Sequence, residues 1–314
     1  MIKRREIDSL TLFNDKALVE LKQWLQPWWR ADMPKVSRGE VAGGAIVWED
    51  IGRTCGGTHF FDIVMAMAST SDLRGYWRLG DGGLGPYADS KPGPPTVTWA
   101  NTPMSRSVQQ VAMSDLVAGA LSGAQDDGAV QFNDSTPGTA SNKSDWLDAT
   151  NVWGSMSSNP FEISQGTVMG WVKPKASSST FDGGVFSMLG WAAPGQFQGY
   201  VLGVAWSSRS LFFQGGPTRI TGPVLPADTW SFVCGVGNGT NTLLYVNGIL
   251  VTTGASVGWT PGTNIDPKIG LWDHSAWTGV PNNGGVFYGA IDEVSVWGHA
   301  LTATQISDLY NSGI

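Results

Sequence analysis

The sequence predicts an all-β protein: a two-sheet antiparallel sandwich, closed by a short C-terminal helix and preceded by a small mixed N-terminal segment. Three observations carry this. First, from residue 161 onward TVMGWVKP, GVFSMLGW, GYVLGVAW, SLFFQG and TWSFVCGV follow one another, rich in β-branched and aromatic residues and separated by turn-forming stretches. Second, LLYVNGILVTT reads as a hairpin, because Asn247-Gly248 supplies the two positive-φ positions of a type I′ turn. Third, the chain ends on one long strand, Val286 to Trp297, and then changes period. Thr302 and Gln305 fit a capping box, Ile306, Leu309 and Tyr310 share a helical face, and Gly313 is a C-terminal stop.

In the closing strand, simple alternation puts Ala290, Asp292, Val294 and Val296 on one face and Ile291, Glu293, Ser295 and Trp297 on the other. Both faces carry apolar residues, so both are expected to be covered. Upstream, a strand is expected at Leu73 to Leu79, short strands near Thr96 to Trp99 and Ser107 to Ala112, and another at DGAVQF (127–132). Residues 133–160 form a long polar insertion, the kind of surface loop that often carries binding.

Residues 1–70 read differently from the remainder, 71–314. Asn14 or Asp15 can cap a helix whose Leu18, Leu21, Trp24, Leu25 and Trp28 share a face, with Trp29 beside them. GAIVWEDI suggests a short strand, and THFFDIVMAMA is an apolar run compatible with a buried strand or a helix. Four tryptophans in so short a segment exceed what it can bury alone, so it reads as a docking segment with Leu21, Trp24, Leu25, Trp28 and Trp29 as its candidate contacts.

YWRLGD at 76–81, DGAVQF, TVMGWVKP and the AIDEVSVW strand with its trailing helix occur in an order and at separations that resemble the laminin-G-like, concanavalin A-type jelly-roll family. The resemblance covers about residues 72–313 and implies a jelly-roll sandwich. It leaves function open, because that fold hosts lectins, glycosidases, adhesion modules and virion proteins.

Composition narrows the choice. Charged residues are only 14% of the chain, against roughly 25% in typical soluble domains. The surface must therefore be built from Ser, Thr, Asn and Gly, which suits a particle surface or an extracellular module. Residues 1–70 carry nine basic and nine acidic residues, so the net charge of −7 falls wholly on the larger part, which argues against a nucleic-acid partner. Cys55 and Cys234 form no spaced framework and read as buried thiols. The amino terminus lacks the apolar run of a secretion signal, and no stretch is long enough to span a membrane. A fold used mostly outside cells, without a signal, is expected on a virus particle released by lysis.

Chemistry has few candidates. Sandwich glycosidases place carboxylates at i, i+2 on one strand so that both reach one sugar. Here Asp126-Asp127 and Asp292-Glu293 are adjacent, which in a regular strand points each pair to opposite faces. Asp292 and Glu293 are expected to bond neighbouring loops or backbone. His59, His274 and His299 form no ligand set, and no nucleophile elbow or phosphate loop occurs, so no catalytic residue, cofactor or metal is expected. Calcium is chemically possible through Asp182, Asp266 or Asp273, as in many domains of the family it resembles.

Binding has better candidates. Trp272, His274, Trp277, Asn282 and Asn283 concentrate around one loop, mixing aromatic faces for sugar C–H surfaces with polar groups for hydroxyls. The same residues would equally finish the core rim and solvate the loop. The expectation is a non-enzymatic bacteriophage structural protein of the tail, fibre or surface decoration. It would be oligomeric in the particle, joined to other virion proteins through residues 1–70, and would contact host-surface glycans. The alternative is a secreted lectin or glycosidase of cellular origin.

Overall fold

The computed structural model describes residues 59–68, 72–79, 105–106, 118–121, 128–132, 147–148, 161, 163–176, 182–193, 196–205, 208–215, 218–256, 259, 267–272 and 285–314. The docking helix expected near Leu21, Trp24, Leu25, Trp28 and Trp29, the short strand at GAIVWEDI, the polar insertion beyond Leu147-Asp148, Cys55 and the strands near Thr96 to Trp99 and Ser107 to Ala112 lie outside them.

The elements, in chain order, begin with helix α1 (His59–Ala68) and strands β1 (Leu73–Trp77), β2 (Ser105–Arg106), β3 (Val130–Phe132) and β4 (Leu147–Asp148). Next come β5 (Gly166–Pro174), β6 (Gly183–Ala193), β7 (Gln196–Ala205), β8 (Ser210–Gly215), β9 (Thr218–Val224) and β10 (Ser231–Gly237). The chain closes with β11 (Asn241–Val246), β12 (Ile249–Ala255), β13 (Lys268–Ile269), β14 (Leu271–Trp272), β15 (Gly285–Val286), β16 (Gly289–Trp297) and α2 (Ala303–Gly313).

Two antiparallel sheets make the sandwich. One has the order β1-β16-β5-β10-β11-β12, with β3 also on β16; the other runs β2-β4-β13-β6-β7-β8-β9, and β14 pairs β15 apart from both. The strands expected from residue 161 onward are present, and Asn247 (φ 50°) and Gly248 (φ 75°) make the two-residue turn of the β11–β12 hairpin. Strand β9 was not expected. Its Gly222-Pro223 interrupts the strand pattern, but it is an edge strand, where a missing N–H breaks no ladder.

The space between the sheets is filled by aromatic rings. Trp77 lies 5.7 Å from Phe161 and 5.9 Å from Phe186, and Trp259 lies 4.6 Å from Tyr200. The buried Tyr200 hydroxyl donates to the Phe161 carbonyl at 3.0 Å, so its burial leaves no polar group unmet.

A second apolar layer covers the outer face of the first sheet. Phe60 and Val64 of α1 and Ile306 and Leu309 of α2 cluster with Tyr76, Met169, Trp171, Phe232, Cys234 and Trp297. The THFFDIVMAMA run is therefore a helix, and the compact unit holding the sandwich runs Phe60–Ile314, including a helix that the sequence reading left with residues 1–70. Helix α2 starts at the expected capping box: Gln305 N–H donates to Thr302 Oγ1 and Thr302 N–H to Gln305 Oε1. The approach to it is fixed by Thr167, whose hydroxyl donates to the His299 carbonyl at 3.0 Å and accepts from Leu301 N–H at 2.9 Å. No helix among the described residues is long and apolar enough to cross a membrane.

The closing strand departs from expectation twice. It divides into β15 and β16, and β16 carries a bulge against β5 between Asp292 and Ser295, with Glu293 in the left-handed region (φ 50°). The extra residue resets the alternation, so Ile291, Val294 and Val296 all enter the inter-sheet core, while Trp297 joins the outer layer. The faces assigned by simple alternation are therefore wrong beyond Asp292.

Burial raises the proton affinity of several groups in these layers. Desolvation pushes the Cys234 thiol and the Tyr200 and Tyr245 hydroxyls up, and desolvation followed by the Glu293 charge does the same to Tyr76. Each folded-state pKa lies above its unfolded value, so the stabilisation is whole below the unfolded pKa and is lost as pH rises. Urea unfolding should show stability flat towards pH 9 and falling above it, first through cysteine (ordinary value 9.0) and then tyrosine (10.0). Cys234→Ala should delay the onset by roughly one pH unit.

Candidate functional site

The outer face of the second sheet is organised by register. Lys268 of β13, Ser187 of β6, Val201 of β7, Gln214 of β8 and Arg219 of β9 stand in one lateral row. The neighbouring row is Gly184, Gly203, Phe212 and Thr221. Side chains directly opposite one another share a face, so both rows address the same side.

Two glycines in the second row make room. A Cβ on Gly203 would overlap the Phe212 ring, which therefore lies across β7. A Cβ on Gly184 would overlap the Leu271 carbonyl and come within 2.8 Å of Trp272 N, so the backbone of β14 crosses β6 at that point. That crossing delivers Trp272. Its ring sits 5.6 Å from Phe212 at 56°, against a small cluster of Val201, Ala205 and Phe212.

Above Phe212 lies the Arg219 guanidinium, 3.7 Å from the ring centroid. It is ion-paired with Asp182, at the entry to β6. Val201 and Phe212 are buried, whereas Trp272 is half-buried and the Arg219 and Asp182 side chains remain 28% and 19% exposed. The accessible rim thus offers an indole, a guanidinium held by stacking, and a carboxylate. An indole can take a sugar's C–H face, and a fixed donor beside a fixed acceptor can bracket vicinal hydroxyls.

Of the residues singled out for binding, the structure places Trp272 in this cluster, where it also serves as packing. His274, Trp277, Asn282 and Asn283 lie outside the described residues, as do Asp266 and Asp273. Asp182, named for calcium, is instead the partner of Arg219. Among the described residues no three His, Cys, Asp or Glu side chains gather as a metal site would require. Arg219 and Phe212 escaped the sequence reading because they matter only once β9 is recognised as a strand registered on β8.

The bulge in β16 turns the Asp292 and Glu293 carboxylates to the same outer layer, not to opposite faces. Asp292 accepts from Ala120 N–H at 2.9 Å and from Glu293 N–H at 2.9 Å. Glu293 accepts from the Tyr76 hydroxyl and from Arg78 Nε at 3.4 Å, and Arg78 in turn lies 5.4 Å from the Phe61 ring of α1. At 1% and 0% exposure these two acids bond hydroxyl, guanidinium and loop backbone, as expected of a structural pair.

Domain 4 of AbnA, an extracellular arabinanase from Geobacillus stearothermophilus solved with arabinotriose, is 18% identical, covers 76% of this chain and 98% of its own, and has a TM-score of 0.47. The botulinum neurotoxin type G receptor binding domain is 13% identical over 77% of this chain and 51% of its own, with a TM-score of 0.47. The SAP-like pentraxin of Limulus polyphemus is 23% identical over 46% of this chain and 69% of its own, with a TM-score of 0.36. No curated protein matches. A family model described as "Concanavalin A-like lectin/glucanases superfamily" matches residues 124–307, more than half of the chain. With its two antiparallel sheets and trailing helix, this chain belongs to that superfamily.

Proposed function

We propose that this protein is a non-enzymatic, glycan-binding jelly roll displayed on a bacteriophage particle. The observation that carries the glycan reading is the half-buried Trp272 beside the Arg219–Asp182 pair on the outer face of the second sheet. Burial and engagement of Asp292 and Glu293 support a non-catalytic role, because neither presents an exposed acid or base. The particle reading draws support from the sparsely charged sequence and from the aromatic-rich segment of residues 1–70, which would join other virion proteins. A site this small binds one glycan weakly, and many copies on a particle would convert weak binding into avidity.

A glycan array probed with the full chain, displayed multivalently, should show at least one bound host-surface glycan class with no hydrolysis products. Absence of any binding would overturn the glycan reading, and released sugars would overturn the non-enzymatic one. Removing residues 1–58, which leaves α1 in place, should abolish incorporation into particles; normal incorporation would overturn the docking role of this segment.

A further inference from the structure

Among the described residues the exposed large apolar side chains are few, and most of them fall in one place. Ile249 is 68% exposed, Leu250 46%, Val251 39% and Val224 56%; beyond these four there is only Ile314 at the C-terminus. Ile249, Leu250 and Val251 open β12, the edge strand of the first sheet, and Val224 closes β9, the edge strand of the second. The two edges run side by side. A Cβ on Gly254 would overlap Ile220, and one on Gly222 would lie 3.3 Å from Leu244, which pairs Thr252.

The two edges are not alike. Strand β9 is guarded in the usual ways, by Pro223 and by the charged Arg219. Strand β12, ILVTTGA, has neither proline nor charge, and among the described residues its far side pairs with no strand. Its one irregularity, an extra residue at Val251 opposite Leu244-Tyr245, adds a third apolar side chain to the exposed group. An open row of N–H and C=O groups is saturated best by another strand, so the occupant is an extended segment.

We infer that β12 is a homotypic docking edge, at which a second copy of this chain adds its own β12 antiparallel across a two-fold axis. The strand is self-complementary about Thr252. Ile249 would face Ala255, Leu250 would face Gly254, and Val251 would face Thr253, so the two largest side chains meet small ones and Val251 meets another β-branched residue. Charge at this strand permits the same occupant. Two copies of a chain of net charge −7 repel one another, and a strand without ionisable groups is where they can meet without placing like charges together.

Analytical ultracentrifugation of the full chain over a wide concentration range tests this without any glycan, so its outcome is independent of the carbohydrate reading. The wild type should form dimers, or assemblies built from them. Leu250→Lys and Val251→Lys should halve the assembly mass and weaken association by about a hundredfold, since each ammonium would have to be desolvated in an apolar seam opposite Gly254 or Thr253 of the second copy. Both positions are exposed, so circular dichroism and melting should match the wild type. A wild type that is monomeric throughout, or an assembly unchanged by both variants, would overturn the inference. Should a variant misfold, deuterium exchange of the wild-type amides 249–255 decides: slowing by tenfold or more at high concentration is expected, and concentration-independent exchange would overturn it.

Discussion

Replacing Glu293 by Ala should lower the unfolding free energy by about 3–5 kcal/mol, the range for removing one partner of a buried charged network. The Tyr76 hydroxyl would lose its acceptor inside a fully buried layer, and Arg78 would lose its carboxylate. The effect should extend to α1, because Phe61 packs on both Tyr76 and Arg78. In a compact unit of this size, a melting temperature lowered by roughly 6–15 °C is the corresponding readout. A loss below about 1 kcal/mol in urea unfolding at neutral pH would show that the bulge, and not its carboxylate, holds this corner together. Tyr76→Phe should cost less, about 1–3 kcal/mol, since the carboxylate keeps Arg78.

Gly184→Ala is expected to damage both fold and site. A methyl group there meets the Leu271 carbonyl and the Trp272 amide, which are backbone atoms and cannot swing aside as a side chain does. Overpacking of this kind costs about 1–3 kcal/mol, and relief requires β14 to lift away from β6. Trp272 would move with it and lose its contact with Phe212. The check is a pair of measurements on one variant, thermal unfolding and glycan affinity. Loss of stability with unchanged affinity would separate Trp272 from binding.

Much of the architecture was legible because its signals are local. Asn247-Gly248 dictates its own turn, and Thr302 with Gln305 dictates its own helix start, whatever surrounds them. The strands from β5 to β8 and β10 to β12 declared themselves by residue type. What escaped was set by non-local pairing. Strand β9 looks like a loop because Gly222-Pro223 is tolerated only at an edge, and edge position is a property of the sheet. The bulge at Glu293 arises where the neighbour of β16 changes from β3, along residues 289–291, to β1, along residues 294–297, a junction invisible in the strand itself.

The site divides along the same line. Trp272 could be named from its composition-rich surroundings, but its partners could not. Arg219 lies 53 residues away and Asp182 lies 90 residues away in the chain. They meet because one lateral row spans β6 to β9 and because Gly184 lets β14 cross beside it. Charge patterning alone would have treated Asp182 as a free oxygen donor for a cation, whereas registry hands it to a guanidinium.

The most direct test of the account is a calorimetric titration of the best glycan from the array into the wild type and into Trp272→Ala and Arg219→Ala. Both substitutions are expected to leave the sandwich folded and to weaken binding by about tenfold or more, the scale of one stacked ring or one charge-assisted hydrogen bond. Unchanged affinity in both variants would contradict the account and move the glycan site away from the outer face of the second sheet.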